Sequence, residues 1–430
     1  MIKKIKTFFS SRRYKYEAYA RVYSLNYYKK FVYAISGRKS KILFEKEYNG
    51  ENILLLALFE KSIIRPDILR LCQEAKKQGM YVLAVNTLKI SEVSGLKDYM
   101  DCYIERMNFG RDFGSYKEGF LHIYKREWHK NASRIIMMND SVFYSKKHLP
   151  NFLKVLKDTK YKALGATENF ELSYHLGSFC ISISGDVIRN KKFIKYWKKY
   201  KLSEIRPIVI RKGEMALTKT LIGCVGSNMV AAAYSASEFE EWLKDDNNLD
   251  YALKIRTRDK TPWKKIYVNE IVDKFIKDFC EEIYNIEDRI SFRKTKMDDL
   301  GKMYEGGTAL LRSKMLASFE DIANYLSEKY GVNLSDERKN VLRRYVVGYL
   351  IDIYMSGSQI HRNAPILLQM GCAIVKLDGL YRGAFDNVTV QYILENMEED
   401  GEELKKLLSR PFGGEILNRW KLAAFNQGII

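Results

Sequence analysis

The chain has 430 residues, 46% of them hydrophobic and 13% aromatic, which is ample for a buried core and excludes global disorder. Its formal net charge of +20 at pH 7 points to an anionic partner: nucleic acid, a membrane surface or a phosphorylated ligand. The six cysteines (Cys72, Cys102, Cys180, Cys224, Cys280, Cys372) show no C-x-x-C and no paired spacing, which argues against a zinc site or a disulfide framework and fits a reducing compartment.

Residues 1–48 hold thirteen Lys/Arg against three Asp/Glu and are rich in tyrosine. They read either as a solvated helical leader or as an interfacial segment drawn to anionic lipid, where each basic residue near the surface adds roughly 1 kcal/mol. The first thirty residues lack the apolar core of a signal peptide. The apolar stretch YVVGYLIDIYM (345–355) is too short to span a bilayer and contains Asp352. A cytoplasmic protein is expected, with contact at the inner face of the plasma membrane as an addition.

From residue 51 the pattern alternates. NILLLALFE (52–60) suits a buried strand, RPDILRLCQEAKKQG (65–79) a helix with Pro66 near its start and Gly79 as a stop, and MYVLAVNT (80–87) a second buried strand. DCYIERMN (101–108) is a third strand, followed by a helix predicted from about Ser115 to Lys130. SRIIMMNDSVF (133–143) is a fourth strand ending in polar residues. Strands and helices at this spacing predict βαβ units and a mainly parallel sheet, whose ligands bind at the carboxyl ends of the strands. After a helix near 148–159, residues 162–188 read as strand and loop, KKFIKYWKKY (191–200) as a basic aromatic helix and KGEMALTKTLIGCVG (212–226) as a helix. From about 275 the chain is mainly helical, with the acidic run ENMEEDGEELKK (395–406) most simply a solvated face. The expected organisation is a basic segment (1–48), an α/β domain (49–278) and a mainly helical accessory region (279–430).

Asp140 follows the apolar IIMM, so its carboxylate stands at a strand tip. There it either holds a divalent cation, since Mg²⁺ and Mn²⁺ prefer oxygen ligands, or closes the strand with Asn139 in an Asx turn. In NFGRDFGSYK, Gly114 and Ser115 allow close backbone approach at a helix start, Arg111 and Lys117 suit phosphate, and Asp112 suits a base or ribose. The alternative is that Asp112 or Ser115 only caps the helix. Neither a P-loop nor a G-x-G-x-x-G fingerprint is present. Glu214 stands at a predicted helix start, as a general base for an attacking hydroxyl or as a first-turn Glu favoured by the helix dipole. His175, in ELSYHLGSF, is a ligand contact or a satisfied structural histidine.

Taken in order, these motifs resemble the rhamnan synthesis F family of bacterial polysaccharide glycosyltransferases. NILLLALFEKSIIRPDILRLCQEAKKQGMYVLAVN looks like the family's opening strand-helix-strand, RDFGSYKEGF like its most specific motif and MMNDSVFY like its Asn-Asp-Ser strand end. GATENFELSYHLGSFCISIS resembles its Gly-x-Thr, His and Ser-Phe segment, KGEMALTKTLIGCVG its late Glu, and KTPWKKIYVNEIVDKFIK (260–277) more loosely its closing segment. The resemblance covers roughly 50–278.

It implies a GT-A-like nucleotide-binding domain that moves a sugar, rhamnose or similar, from a nucleotide-sugar donor to a glycan or lipid-linked acceptor. Asn108, Gly110, Arg111, Asp112, Ser115, Lys117 and Asn139 would then line the donor site. Asp140 would hold Mg²⁺ or Mn²⁺, Glu214 would be the base of an inverting transfer, and His175 and Ser178 would contact acceptor or donor. Three departures stand out: Arg111 replaces the usual tyrosine, Asn139-Asp140 supplies one carboxylate where Asp-x-Asp supplies two, and Gly177 replaces a glutamine. Two other readings compete. One is an inactive GT-A scaffold in a polysaccharide assembly complex. The other is a nucleic-acid binder using RRYKYEAYARVYSLNYYKK and KKFIKYWKKY for phosphate contacts and stacking, although the resemblance implies no nucleic-acid partner.

Overall fold

Strand β1 (Lys41–Glu45) lies at the edge of a sheet, and the apolar runs β2 (Asn52–Leu58), β3 (Met80–Asn86) and β4 (Cys102–Glu105) lie beside one another within it. The computed structural model describes residues 2–36, 40–258, 318–330, 333–381, 385–408, 420, 423–424 and 427–429. β5 (Arg134–Asn139), β7 (Ala163–Gly165), β10 (Cys180–Ser184) and β11 (Val230–Ala232) complete eight strands in the order β1-β4-β3-β2-β5-β10-β7-β11. β4-β3, β3-β2, β2-β5 and β7-β11 pair in parallel; β1-β4, β5-β10 and β10-β7 are antiparallel. The sheet is thus mainly parallel, as expected. β2, β3 and β5 are buried almost throughout, which is why they read as unbroken apolar runs. Short pairs flank the sheet: β6 (Val142–Tyr144) with β12 (Ile374–Lys376), and β8 (Glu168–Asn169) with β9 (His175–Leu176).

The chain divides into two units, one comprising Met1–Ser235, Gly357–Phe385 and Val390–Ile430, the other Ala236–Ser356 and Asp386–Thr389. The first contains the sheet. Helix α1 (Ile2–Ile35) packs Ala18 and Val22 against Ile205, Ala424 and Ile429. Helix α2 (Pro66–Lys77) starts on Pro66 and is followed by Gly79 at φ +73°, the usual asymmetry of helix ends. Helices α3 (Arg111–Lys125), α4 (Leu149–Asp158), α5 (Gly185–Ile188) and α6 (Lys191–Lys199) follow, then α7 (Arg206–Val209) and α8 (Ala216–Val225). In the second unit, helices Ala236–Trp242 and Asp336–Met355 meet through the stacked rings of Phe239 and Tyr354, 4.1 Å apart. Among the described residues no helix is long and apolar enough to cross a membrane.

Several expectations change. The helix placed at Ser115–Lys130 runs from Arg111 to Lys125, and neither Asp112 nor Ser115 caps it: the cap is Gly110 at φ +93°. The strand read over 133–143 breaks at Asp140, and its second part pairs with β12. Residues 41–45, read as part of a basic leader, form the edge strand. The helix predicted over 212–226 belongs to a longer helical run from Arg206, so Glu214 lies in a widened π-turn (Ile210–Met215) instead of a first turn. Phe193 and Trp197 of the basic aromatic helix are core residues, so they form no stacking surface. The acidic run 395–406 is not simply solvated, because Asp400 is buried and paired with Arg70 at 3.0 Å. The segment 260–277, Cys280 and the boundary after residue 278 lie outside the described residues, and the described residues that follow are shared between the two units.

Candidate active site

The carboxyl ends of β2, β3, β4 and β5 gather the polar residues of the first unit. β5 delivers Asn139 and Asp140. Asn139 donates from Nδ2 to Asp112 Oδ2 (2.8 Å), accepts at Oδ1 from the Ser141 hydroxyl (2.6 Å), and its carbonyl accepts from the Tyr144 hydroxyl (2.6 Å). Every polar group of Asn139 named here is thus fixed, and Asp112 is fixed with it. Asp140 is buried, and its carboxylate accepts from the Phe59 N–H at the end of β2. Arg65 donates to the carbonyls of Asp140 and Val142, both at 2.8 Å, while Asp67 holds its guanidinium from the other side at 2.9 and 3.0 Å. This fork holds the break between β5 and β6 in place.

Electrostatically the cluster is acidic. Burial, then Asp112 and Glu60, push the Asp140 carboxyl up to about 8, against the Phe59 N–H and Arg65. Burial also raises Asp112; Lys376 and Arg111 oppose this, and Glu214 adds to it. Asp112 therefore stands electrostatically between the strand-end acids and Glu214.

Glu214 has its own bracket. Its Oε1 accepts from the Ser178 hydroxyl at 2.6 Å, and its Oε2 lies 3.7 Å from His175 Nε2. The other ring nitrogen of His175 meets the Ser173 carbonyl at 2.8 Å, an arrangement that assigns the proton there to Nδ1. The structure thus brings Glu214, His175 and Ser178 together, residues read from two separate motifs. π-Turns interrupt helices at functional sites more often than elsewhere, and this one turns Glu214 toward Ser178.

The signature Asp-Phe-Gly-Ser-Tyr binds these parts residue by residue. Asp112 holds Asn139. Phe113 packs on Gly213, where a Cβ would come within 2.8 Å of its ring. Gly114 leaves room for Arg106, since a Cβ there would lie 2.6 Å from Nη2. Ser115 accepts from Arg106 Nε at 2.9 Å, and the Tyr116 hydroxyl donates to the Ser178 carbonyl at 2.9 Å. Arg106 is buried and also donates to the carbonyls of Met107 and Phe109 (2.9 and 2.7 Å) and of Arg111 (2.7 Å). Burial lowers its pKa to about 10. One buried guanidinium therefore shapes the whole loop from β4 into α3.

Other candidates lie on a different flank. The Gly110 N–H and Arg111 Nε donate to Glu204, at Oε1 (2.5 Å) and at its carbonyl (3.0 Å). Lys117 reaches the end of α6, donating to the Tyr200 carbonyl at 2.6 Å. Asn108 is half-buried in the loop after β4. Gly177 is closely approached by the Phe179 ring, which a Cβ there would meet at 2.4 Å.

Sequence reading missed Arg106, Glu204, Arg65 and Lys376. Arg106 carried a weak signal, as a charge directly after an apolar strand. Lys376 carried none: its Nζ donates to Ser141 Oγ at 2.7 Å across 235 residues of chain. Glu45, Cys102 and His122 were also missed, and these three could hold a metal ion. They sit at the opposite end of β4 from the strand-end cluster, with Glu45 between His122 Nε2 (2.6 Å) and Arg126 (2.7 Å). Burial pushes the Cys102 thiol up and the His122 imidazole down.

The uncharacterized protein y4gN of Sinorhizobium fredii (strain NBRC 101917 / NGR234) is 26% identical to this chain over 242 residues, 52% of this chain and 61% of that protein. The chain thus spans less than two thirds of that relative's length. The profile of the family described as rhamnan synthesis protein F matches residues 80–255, a narrower range than the motifs suggested. Over that range the chain is similar to the rhamnan synthesis protein F family.

Proposed function

We propose that this chain is an inverting, nucleotide-sugar-dependent glycosyltransferase with a GT-A-like domain, which adds a hexose, rhamnose or similar, to a growing cell-surface polysaccharide or lipid-linked glycan. The observation that supports it best is the placement of Asp112. It is tied to Asn139 at the strand ends by a 2.8 Å hydrogen bond and is influenced electrostatically by Glu214 and Lys376.

In this reading the donor lies over the carboxyl ends of β2, β3 and β5, with Asp112 accepting from its base or ribose. Glu214, steadied by Ser178 and flanked by His175, takes the proton of the acceptor hydroxyl. That oxygen bonds to the anomeric carbon as the bond to the diphosphate oxygen breaks on the opposite face, inverting the centre. Preorganised charge around the leaving diphosphate lowers the barrier.

The residues fit Mg²⁺ or Mn²⁺: the Asp140 carboxyl offers oxygen only, and burial, with Asp112 and Glu60 nearby, raises it as an uncompensated acid would be raised. A divalent cation held by Asp140 would neutralise charge on the leaving phosphates. We propose that the protein acts in the cytoplasm at the inner membrane face; the membrane contact is argued from Tyr27, Phe31 and Ile35 of α1, which are 65%, 63% and 66% exposed on the side away from buried Ala18 and Val22.

Thermal-shift binding against nucleotides and nucleotide sugars, with and without Mn²⁺, tests the reading. A ligand at 100 times its Kd stabilises the fold by about 2.7 kcal/mol. Stabilisation by one nucleotide class, lost in Asp112→Ala, supports it. A wild-type protein indifferent to every nucleotide and metal combination turns the assignment toward an inactive scaffold.

A further inference from the structure

The family match ends at residue 255, yet the chain returns to the strand ends from residue 357 onward. Ser358 bridges Asn169, and the Gln359 side-chain oxygen accepts from the Glu168 N–H at 3.0 Å. The Ser145 N–H donates to the Ala373 carbonyl at 2.7 Å. β12 then pairs antiparallel with β6, setting Lys376 opposite Val142, and the Leu377 N–H donates to the Ser141 carbonyl at 3.2 Å. These contacts fix the backbone on both sides of Lys376.

Its ammonium donates to Ser141 Oγ at 2.7 Å, and Ser141 Oγ in turn donates to Asn139 Oδ1 at 2.6 Å. It also lies 5.4 Å over the Phe179 ring, next to the Ser178 that holds Glu214. A half-buried cation is thus held between the strand-end cluster and the Glu214 bracket by a serine and an aromatic face. A serine hydroxyl needs no lysine to be satisfied, and the charge held there also acts on two nearby carboxyls, Asp112 and Asp378.

We propose that Lys376, with Ser141, forms an anion subsite for the diphosphate of the donor, supplied by a part of the chain outside the family match. The inference rests on the glycosyltransferase reading above for the nucleotide, and on Lys376 and Ser141 for the phosphates. An ammonium here shields Asp112 from the incoming phosphates and meets the charge that grows on the leaving oxygen.

The test is calorimetric titration of the full chain with nucleoside diphosphates, the matching nucleosides and inorganic pyrophosphate. Lys376→Met should weaken nucleoside diphosphate and pyrophosphate binding at least about tenfold, the loss of one charge-assisted hydrogen bond, and leave nucleoside binding unchanged. Lys376→Gln, which can still donate to Ser141 and drops only the charge, gives the same comparison should the Met variant not fold. Equal diphosphate affinity in folded variant and wild type overturns the subsite. Pyrophosphate binding that depends on Lys376 without any nucleotide binding keeps the subsite and sinks the glycosyltransferase reading. A wild type that binds neither overturns both.

Discussion

Asp140→Asn should remove a pH dependence from the stability of the metal-free protein. In the fold the Asp140 carboxyl is pushed up to about 8 from its ordinary 3.8, by burial and then by Asp112 and Glu60. Because the folded value lies above the unfolded one, folding takes up a proton between the two. The associated stability is complete below about pH 4 and is lost as the pH rises through about 8. One proton corresponds to a slope of about 1.4 kcal/mol per pH unit. Urea denaturation of wild type and variant in EDTA, from about pH 5 to pH 9, measures the difference directly. It should widen in favour of the variant up to about pH 8 and then level off. Binding of Mn²⁺ must displace the same proton, so wild-type affinity should rise about tenfold per pH unit over the same window. Parallel stability curves for the two proteins would refute the argument that burial holds Asp140 protonated.

Gly114→Ala should destabilise the protein by roughly 1–3 kcal/mol in a chemical melt, because the new Cβ would sit 2.6 Å from Arg106 Nη2 and 2.7 Å from the Phe109 carbonyl. Glu214→Gln should lower sugar transfer by about 10²- to 10⁴-fold while nucleotide affinity, measured by calorimetry, stays within about threefold; near-full transfer would end the base assignment. Replacing Tyr27 and Phe31 together by serine should reduce flotation with vesicles containing anionic lipid at least about tenfold and leave the melting curve in place, since both rings face solvent.

Legibility in the sequence followed the range of the interactions. β2, β3 and β5 were readable because strands buried on both faces show as apolar runs. Glu214, His175 and Ser178 came from motifs that the fold then joins. The start of α3 was misplaced because a left-handed Gly110 begins it, and a glycine before Arg-Asp looks the same in a loop. β1 was hidden by composition, since it begins on Lys41 and is followed by Lys46 within a basic stretch. Arg106 looked like an ordinary strand-end charge; its role depends on three carbonyls turned inward by the following loop. Lys376 and the Glu45-Cys102-His122 group were beyond reach, because their partners lie far apart in the chain and no local pattern marks them.

The pairing of β6 with β12 has a consequence for how the protein is made. At about 5–20 residues per second, the 235 residues separating Ser141 from Lys376 take roughly 10–50 s to synthesise. Throughout that interval the apolar Val142–Tyr144 strand stands on the nascent chain without its antiparallel neighbour, while β2 to β5 are already available to fold. An unpaired, apolar edge of this kind invites foreign strands. A ribosome-bound intermediate of this protein should therefore depend on chaperone cover until β12 emerges, and slow codons between the two strands would lengthen the exposure.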